Sequence, residues 1–400
     1  MALRNVVRHR RRSALALAAI ASGVAALILA RGFIDWNLWQ YRESAIKSQF
    51  GHIRVHRAGY GESGLSDPFA FLMPDQDPER EVIKSAAHVR ILAPRLFLTG
   101  LASRGELTLS FVGEGVDPLS EAELSQALLI VEGTNLSVDD SKGIIVGQGL
   151  ADSLGARIGD SLVLLATTRS GGLNGVEVHV RGIFSSVTKA YDDAALRLPI
   201  STAQELLRVS GAHAWVLLLE DTIYTEEVLE TLRRSADSGV FEFAPWWQFA
   251  DFYNKSAALL SKQVGVVRLI IALLIILSIS NTLMMSVMER TSEIGTSMAL
   301  GIPRAKILSQ FVVEGVLLGI IGGSAGLILG TVLAKIISGI GIPIAPPPGM
   351  TRGYLSEVQV TLPLLVDAFV LALLTTLLAS LYPAWKASRL NIVDALRRNG

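Results

Sequence analysis

Four stretches of the chain are apolar for long enough to cross a bilayer, whose hydrocarbon core takes about 20 residues of helix. The first runs from Ser13 to Phe33 and has no charge between Ser13 and Ala30. The second, Leu269 to Met288, is uncharged. The third, Phe311 to Ile342, carries Glu314 near one end and Lys335 near the other, and the fourth, Thr361 to Ala384, contains Asp367 and closes at Pro383. Glu314 reads as a snorkelling side chain, and Asp367 and Lys335 as interface anchors that could pair with each other.

The polar pattern between the first two spans is different. His52–His56, Leu107–Val112, Ser161–Ala166, Val176–Val180 and Trp215–Leu219 have the short, alternating character of strands. Asp75–Ala87, Gln148–Leu154, Thr202–Val209 and Thr225–Ala236 read as helices, and Gly155 to Asp160 as a helix stop turning into a strand. Trp36–Phe50 continues the first span and Phe249–Val267 leads into the second, which together predict a stalk, with Trp36, Trp39 and Tyr41 at headgroup level. The pattern predicts an integral membrane protein with four transmembrane α-helices and an α+β extracytoplasmic domain on a helical stalk between helices 1 and 2. The expected boundaries are a cytoplasmic helix at 1–12, the first span at 13–34, the outer domain with its stalk at 35–265 and the second span at 266–288. A cytoplasmic loop at 289–306, the third span at 311–342, a short external loop at 343–360, the fourth span at 361–384 and a cytoplasmic tail at 385–400 follow.

Composition agrees. Half of the 400 residues are hydrophobic and 18% are charged, where a soluble domain has about a quarter. Net charge is zero, so no global field favours nucleic acid. The absence of cysteine excludes disulfides, thiolate nucleophiles and thiolate zinc sites. Basic residues set the orientation. Arg4, Arg8, Arg10, Arg11 and Arg12 precede the first span, Arg290, Arg304 and Lys306 lie between the second and third, and Lys386, Arg389, Arg397 and Arg398 follow the fourth. The external loop has only Arg352. The positive-inside rule then places both termini in the cytoplasm and residues 35 to 265 outside. A cleaved signal peptide is the alternative for the first span, but its exit at Ile28-Leu29-Ala30 lacks the small residue needed three before a cut, which favours an uncleaved helix.

Candidate chemistry is sparse. No phosphate loop of the form G-x-x-x-x-G-K-[ST] occurs, and no H-E-x-x-H. His52 and His56 share a strand face but lack a third ligand, so they read as strand residues and no metal site is expected. Gly322-Gly323-Ser324-Ala325-Gly326 matches the G-x-S-x-G elbow only formally, because it lies inside an apolar helix. No catalytic residue is assigned. Gly315, Gly319 and Gly323 recur every four residues, as do Gly322, Gly326 and Gly330, and such ridges let a second helix approach closely, within one subunit or between two. Phe69-Ala70-Phe71-Leu72-Met73 reads equally as an apolar loop that grips a substrate or partner (Phe69, Phe71, Leu72, Met73) and as a buried domain edge.

The loop from Met288 to Arg304 is the most specific segment. Ile294 and Met298 are one helical turn apart, Gly301 suits a helix end and Pro303 the start of the next helix. A short amphipathic helix on the inner membrane surface results. Its sequence, Glu289-Arg290-Thr291-x-Glu293-Ile294-Gly295-x-x-x-Ala299-Leu300-Gly301, resembles the signature of the FtsX-like/MacB-type ABC transporter permeases. The ending Tyr382-Pro383-Ala384-Trp385 to Arg397 and the opening Leu3-Arg4-Asn5 to Arg12 resemble the same family. Gly51 to His56 and Gly143–Gly147 to Asp160 are similar to its outer domain, especially in the lipoprotein-release (LolC/LolE-like) branch.

The resemblance implies a type VII ABC permease dimer, a second copy or a paralogue, on two copies of a separate ATPase that holds the ATP and Mg. This chain would bind no cofactor. Glu289, Arg290, Glu293, Ile294, Gly295, Met298, Leu300, Gly301 and Arg304 would couple to that ATPase. Motion would be relayed through the stalk to the outer domain in a bacterial inner membrane, for lipoprotein release or export of another amphiphile. A signal transmitter that activates a cell-wall hydrolase, and drug or peptide efflux with an adaptor, are the alternatives. Membrane lipids, and a periplasmic adaptor, chaperone or lipoprotein, complete the expected partners.

Overall fold

The computed structural model describes residues 10–64, 66–186, 188–235, 239–344 and 353–391. Residues 1–9 of the predicted cytoplasmic helix and 392–400 of the tail lie outside the described residues. Chain contacts separate two compact units. The described residues of one fall within Met1–Leu38, Ser256–Pro343 and Leu355–Gly400, and those of the other within Trp39–Lys255 and Ile344–Tyr354. In chain order the helices used below are α1 Arg10–Ala45, α2 Pro78–Lys84, α3 Pro118–Leu124, α4 Gln148–Leu154, α5 Ile200–Leu207, α6 Thr225–Ser235, α7 Asp251–Glu289, α8 Thr291–Ala299, α9 Arg304–Ile340 and α10 Leu362–Ser388.

The first unit is the membrane unit. Among the described residues four helices are long and apolar enough to span a bilayer, in α1, α7, α9 and α10. α1 begins in this unit and ends in the other, and α7 does the reverse. One buried core ties the four together through Ile20, Val24 and Ile28 of α1, Ile275 and Ile279 of α7, Leu318 of α9, and Ala368 and Ala372 of α10. The two glycine ridges of α9 meet different neighbours. A Cβ on Gly315 or Gly323 would fall against Ser380, or Phe369 and Ala372, of α10, and one on Gly319 against Thr376. One on Gly322, Gly326 or Gly330 would fall against Ile20, Val24 or Ile28 of α1. Both ridges therefore serve packing within the chain. The formal elbow at Ser324 lies inside α9, as its apolar surroundings predict.

Two expectations for the spans are corrected. Asp367 pairs with Arg31 at 2.9 Å and Arg268 at 3.0 Å rather than with Lys335, because guanidinium groups of α1 and α7 reach it first. Glu314 does not snorkel. It is buried, with its Oε2 3.8 Å from Arg290 Nη1.

The second unit is α+β. Its strands are β1 Ile53–Arg57, β2 Val89–Arg104, β3 Leu107–Val116, β4 Leu129–Gly133, β5 Gly143–Gly147, β6 Ser161–Thr167, β7 Leu173–Ser185, β8 Ala195–Pro199, β9 Ala214–Leu219 and β10 Phe241–Pro245. They form one sheet in the order β10-β1-β9-β2-β3-β8-β5-β7-β4, and β6 pairs with both β2 and β7. The 16-residue β2 joins two lobes: Val89–Arg95 pairs with β9 and Arg95–Arg104 with β3. One core lies under α4 and α5 around Phe111, Leu164 and Leu198, and another under α2 and α6 around Ile53, Trp215 and Phe243. β6 alternates buried and exposed residues, whereas β5, β8 and β9 are buried throughout, as central strands covered on both faces are. Asp77 and Asp117 cap α2 and α3 through the amides of Glu79 and Ser120, and Gly155 ends α4 in a left-handed turn at φ 61°. In the stalk region the Tyr41 ring stacks on Tyr253, 6.2 Å between centroids.

Candidate functional site

The loop between the second and third spans folds as predicted. α8 follows α7 directly, and the Thr291 hydroxyl donates to the Val287 carbonyl at 3.0 Å across the junction. Gly301 adopts φ 88°, a conformation that carries little penalty only without a side chain, and its amide closes onto Met298 O at 3.0 Å. Pro303 stands just before α9.

The faces of α8 divide the predicted coupling residues. Ile294 and Met298 are only 6% and 8% exposed, and pack with Val287, Ile307, Phe311, Ala384 and Ala387. They, with buried Gly295, hold α8 on the helix bundle. Arg290 is half-buried, over the Phe311 ring at 5.8 Å, and donates to Glu293 at 3.2 Å. Glu289, Glu293, Gly301 and Arg304 are exposed, and Leu300 is 80% exposed.

The outer domain contains a second constellation, which sequence reading missed. α1 ends in a π-turn, Ile46–Phe50, whose last carbonyls have no helical partner. Three arginines take them. Arg197 Nη2 donates to Ser48 O at 2.6 Å, Arg95 Nη1 to Gln49 O, and Arg54 to Gln49 O at 3.0 Å and Phe50 O at 3.2 Å. Guanidinium groups at a helix C-terminus also oppose its negative pole.

Arg95 and Arg197 are fully buried, from β2 and β8, and flank Glu114 of β3 and Glu121 of α3. Arg95 meets Glu114 at 3.3 Å and Glu121 at 2.7 Å, and Arg197 meets them at 3.1 and 2.9 Å. Burial would raise the Glu114 carboxyl, but Arg95, Arg197 and Arg54 outweigh it and hold it below the usual carboxylate range. Burial likewise opposes the charge of Arg197, yet Tyr191, Glu114 and Glu121 raise its pKa. The four side chains come from residues 95, 114, 121 and 197, so no local motif announces them. The only signal was an arginine within each of two otherwise apolar strand segments.

The remaining predicted positions lie in the same unit. Pro68–Phe71 forms a short 3-10 turn. Met73 is buried and bridges to Ala212, while Phe69 and Leu72 pack against the sheet core and Phe71 is half-buried. The segment is thus largely a domain edge, although Phe69 also lines a cavity. His52 Nε2 is 3.0 Å from the Thr222 hydroxyl and His56 Nδ1 3.0 Å from His213 O, and among the described residues no cluster of three His, Asp or Glu could hold a metal.

Known proteins match both units. The family model described as "FtsX-like permease C-terminal" matches residues 265–392, and "MacB-like periplasmic core domain" matches residues 13–235, more than half of the chain. An ABC transporter permease of Methanocaldococcus jannaschii is 27% identical over 67% of this chain and 65% of its own length. The lipoprotein-releasing system transmembrane protein LolC of Xylella fastidiosa is 28% identical over 65% of this chain and 67% of its own. The macrolide export ATP-binding/permease protein MacB of Nitrobacter winogradskyi is 26% identical over 97% of this chain, which spans 58% of that protein. This chain belongs to the family of FtsX-like ABC transporter permeases with a MacB-like periplasmic core domain.

Proposed function

We propose that this chain is the transmembrane subunit of an ABC system in a bacterial cytoplasmic membrane, with both termini in the cytoplasm. A separate ATPase, two copies to a permease dimer, supplies the energy. The outer domain acts on a lipoprotein or another amphiphile. One observation carries the reading: α8 has its apolar face buried on the bundle and presents Glu293 and Leu300 to the side. A helix anchored in this way can receive a push without sliding. Among the described residues the membrane helices carry few ionisable groups, and Asp367 is taken up by Arg31 and Arg268. Work on the substrate outside the bilayer fits that poverty. α1 and α7 would carry the motion, since each passes without a break from residues of the membrane unit to residues of the outer one.

Relatives named for lipoprotein release and for macrolide export support the choice of an amphiphilic substrate. The test is reconstitution with candidate ABC ATPase subunits from the same organism. Glu293→Lys with Leu300→Asp should abolish permease-dependent stimulation of ATP hydrolysis and leave the thermal unfolding temperature unchanged. Met298→Ala should instead lower that temperature, because it opens a cavity among Ile294, Phe311 and Ala384. Full stimulation in the double variant refutes the coupling role of α8.

A further inference from the structure

The outer domain holds a cavity of about 540 Å3, lined mainly by apolar groups including Phe69, Phe97, Leu98, Val112, Leu207 and Phe249. That volume lies within the range of small-molecule sites, about 300–1,000 Å3. Two of the polar side chains at its wall are Arg54 and His213. Arg54 spends Nε and Nη2 on the carbonyls of Phe50 and Gln49 and joins no ion pair among the described residues. Glu114, a carboxylate that acts on it, is engaged by Arg95 and Arg197. Its guanidinium is ringed by Phe249, Phe97 and Phe50, 4.4, 5.4 and 5.7 Å from their centroids.

The second group is His213, 99% buried by its 1% exposure. Its Nδ1 accepts the Phe97 amide at 3.0 Å, so the neutral ring carries its proton on Nε2. That buried Nε2 has no hydrogen-bond partner of ordinary geometry, although the Pro68 backbone is near enough to raise the ring's pKa somewhat. Nε2 is closed off from the cavity as well, so His213 shapes the wall and does not donate to an occupant.

We propose that this cavity binds a small organic monoanion with a flat apolar body, its anionic group on Arg54 and its body among Phe69, Phe97 and Phe249. The walls argue for the class. The carboxylate near Arg54 is already paired with two other arginines, so Arg54 keeps its charge for one negative group, and three aromatic rings favour a planar partner. Burial keeps His213 uncharged, with its pKa lowered to about 4. The inference does not depend on coupling to an ATPase.

The test uses the full chain in lipid nanodiscs and 6-fluoro-2-naphthoate as probe, followed by 19F NMR against empty nanodiscs. 6-Fluoro-2-naphthalenemethanol has the same body without the charge. The carboxylate should bind saturably at one site per chain, and the alcohol roughly tenfold more weakly or worse. Arg54→Gln should weaken the carboxylate by a similar roughly tenfold factor. Arg54 also holds the end of α1, so a second variant guards against misfolding: Val112→Trp fills the cavity from a partly exposed strand position and should abolish binding with an unchanged unfolding temperature. No saturable binding by the wild type overturns the proposal. So does equal binding of acid and alcohol, or undiminished binding by a folded Val112→Trp.

Discussion

Lowering the pH should loosen the outer domain well before Glu114 and Asp140 protonate, because three buried histidines are folded in their neutral form. Burial lowers His52, His56 and His213 each to about 4, with Arg54 adding to the effect at His56 and Glu43 partly opposing it at His52. The hydrogen bonds say why protonation is costly. His52 Nδ1 accepts the Leu219 amide and His213 Nδ1 accepts the Phe97 amide, both at 3.0 Å. A proton on either nitrogen would set donor against donor inside the sheet. The unfolded chain binds these protons near pH 6.5 and the folded chain only near 4, so the contribution is complete above 6.5 and is lost as pH falls between those values. A shift of that size is worth about 3 kcal/mol per histidine in full and about 2 kcal/mol by pH 5. Three sites set a ceiling of about 6 kcal/mol at pH 5, reduced by coupling between His56 and His213. Glu114 and Asp140 are held below their ordinary values and stay ionised through this window. Hydrogen exchange of the full chain in nanodiscs, corrected for the intrinsic pH dependence, measures the effect in peptides covering β1 and β9. Opening free energies there should fall by about 2–6 kcal/mol from pH 7 to pH 5. His213→Asn, which can keep an acceptor for the Phe97 amide, should remove about a third of the fall. A change below about 0.5 kcal/mol would refute the reasoning.

Two further perturbations test the packing. Gly326→Leu would place a Cβ 2.6 Å from Val24 Cβ and 2.9 Å from the Ala21 carbonyl oxygen, which a helix backbone cannot yield, and should cost at least about 1–3 kcal/mol in detergent unfolding. Gly339→Ala on the same helix meets nothing within 4 Å and should be neutral, so equal effects would undo the assignment of the ridge to α1. Arg197→Met strips Glu114 and Glu121 of one partner each inside the sheet and should destabilise the outer domain by about 3–5 kcal/mol, read as earlier proteolysis on heating. A loss under about 1 kcal/mol would show that water reaches those carboxylates.

The membrane helices were legible because an apolar run of 20 residues has few other uses, and the glycine ridges because a four-residue period fixes a helix face. What those ridges touch was not legible, since Ile20 and Ser380 are hundreds of residues from each other and nothing in α9 names either. The pair Ile294 and Met298 shows the same limit. Sequence spacing put them on one face but could not say whether that face met a partner or the protein itself, and burial against Phe311 decides it. β2 escaped notice for a different reason. Pro94 and Arg95 interrupt its apolar alternation, and both are tolerated only through distant residues: Trp215 opposite the proline in the ladder, and Glu114 and Glu121 around the arginine.

The distribution of charge also bears on how α1 could carry motion. Within the membrane unit, Arg31 is held by Asp367 just past the uncharged run of α1. Within the outer unit, the carbonyls that end α1 are held by Arg54, Arg95 and Arg197. Apolar packing alone lets a helix slide or rotate at modest cost, because one methyl contact can replace another. At Arg95 and Arg197, which are fully buried, a charge-assisted hydrogen bond has no such substitute, and breaking one leaves an uncompensated group. Both fixings act on the helix backbone or on side chains close to it, so displacement of α1 along its axis would be felt at Ser48 and Gln49 rather than absorbed by rearranged side chains. Arg95 and Arg197 stand on β2 and β8, which flank β3, so such a pull would enter the sheet through its centre and not at an edge.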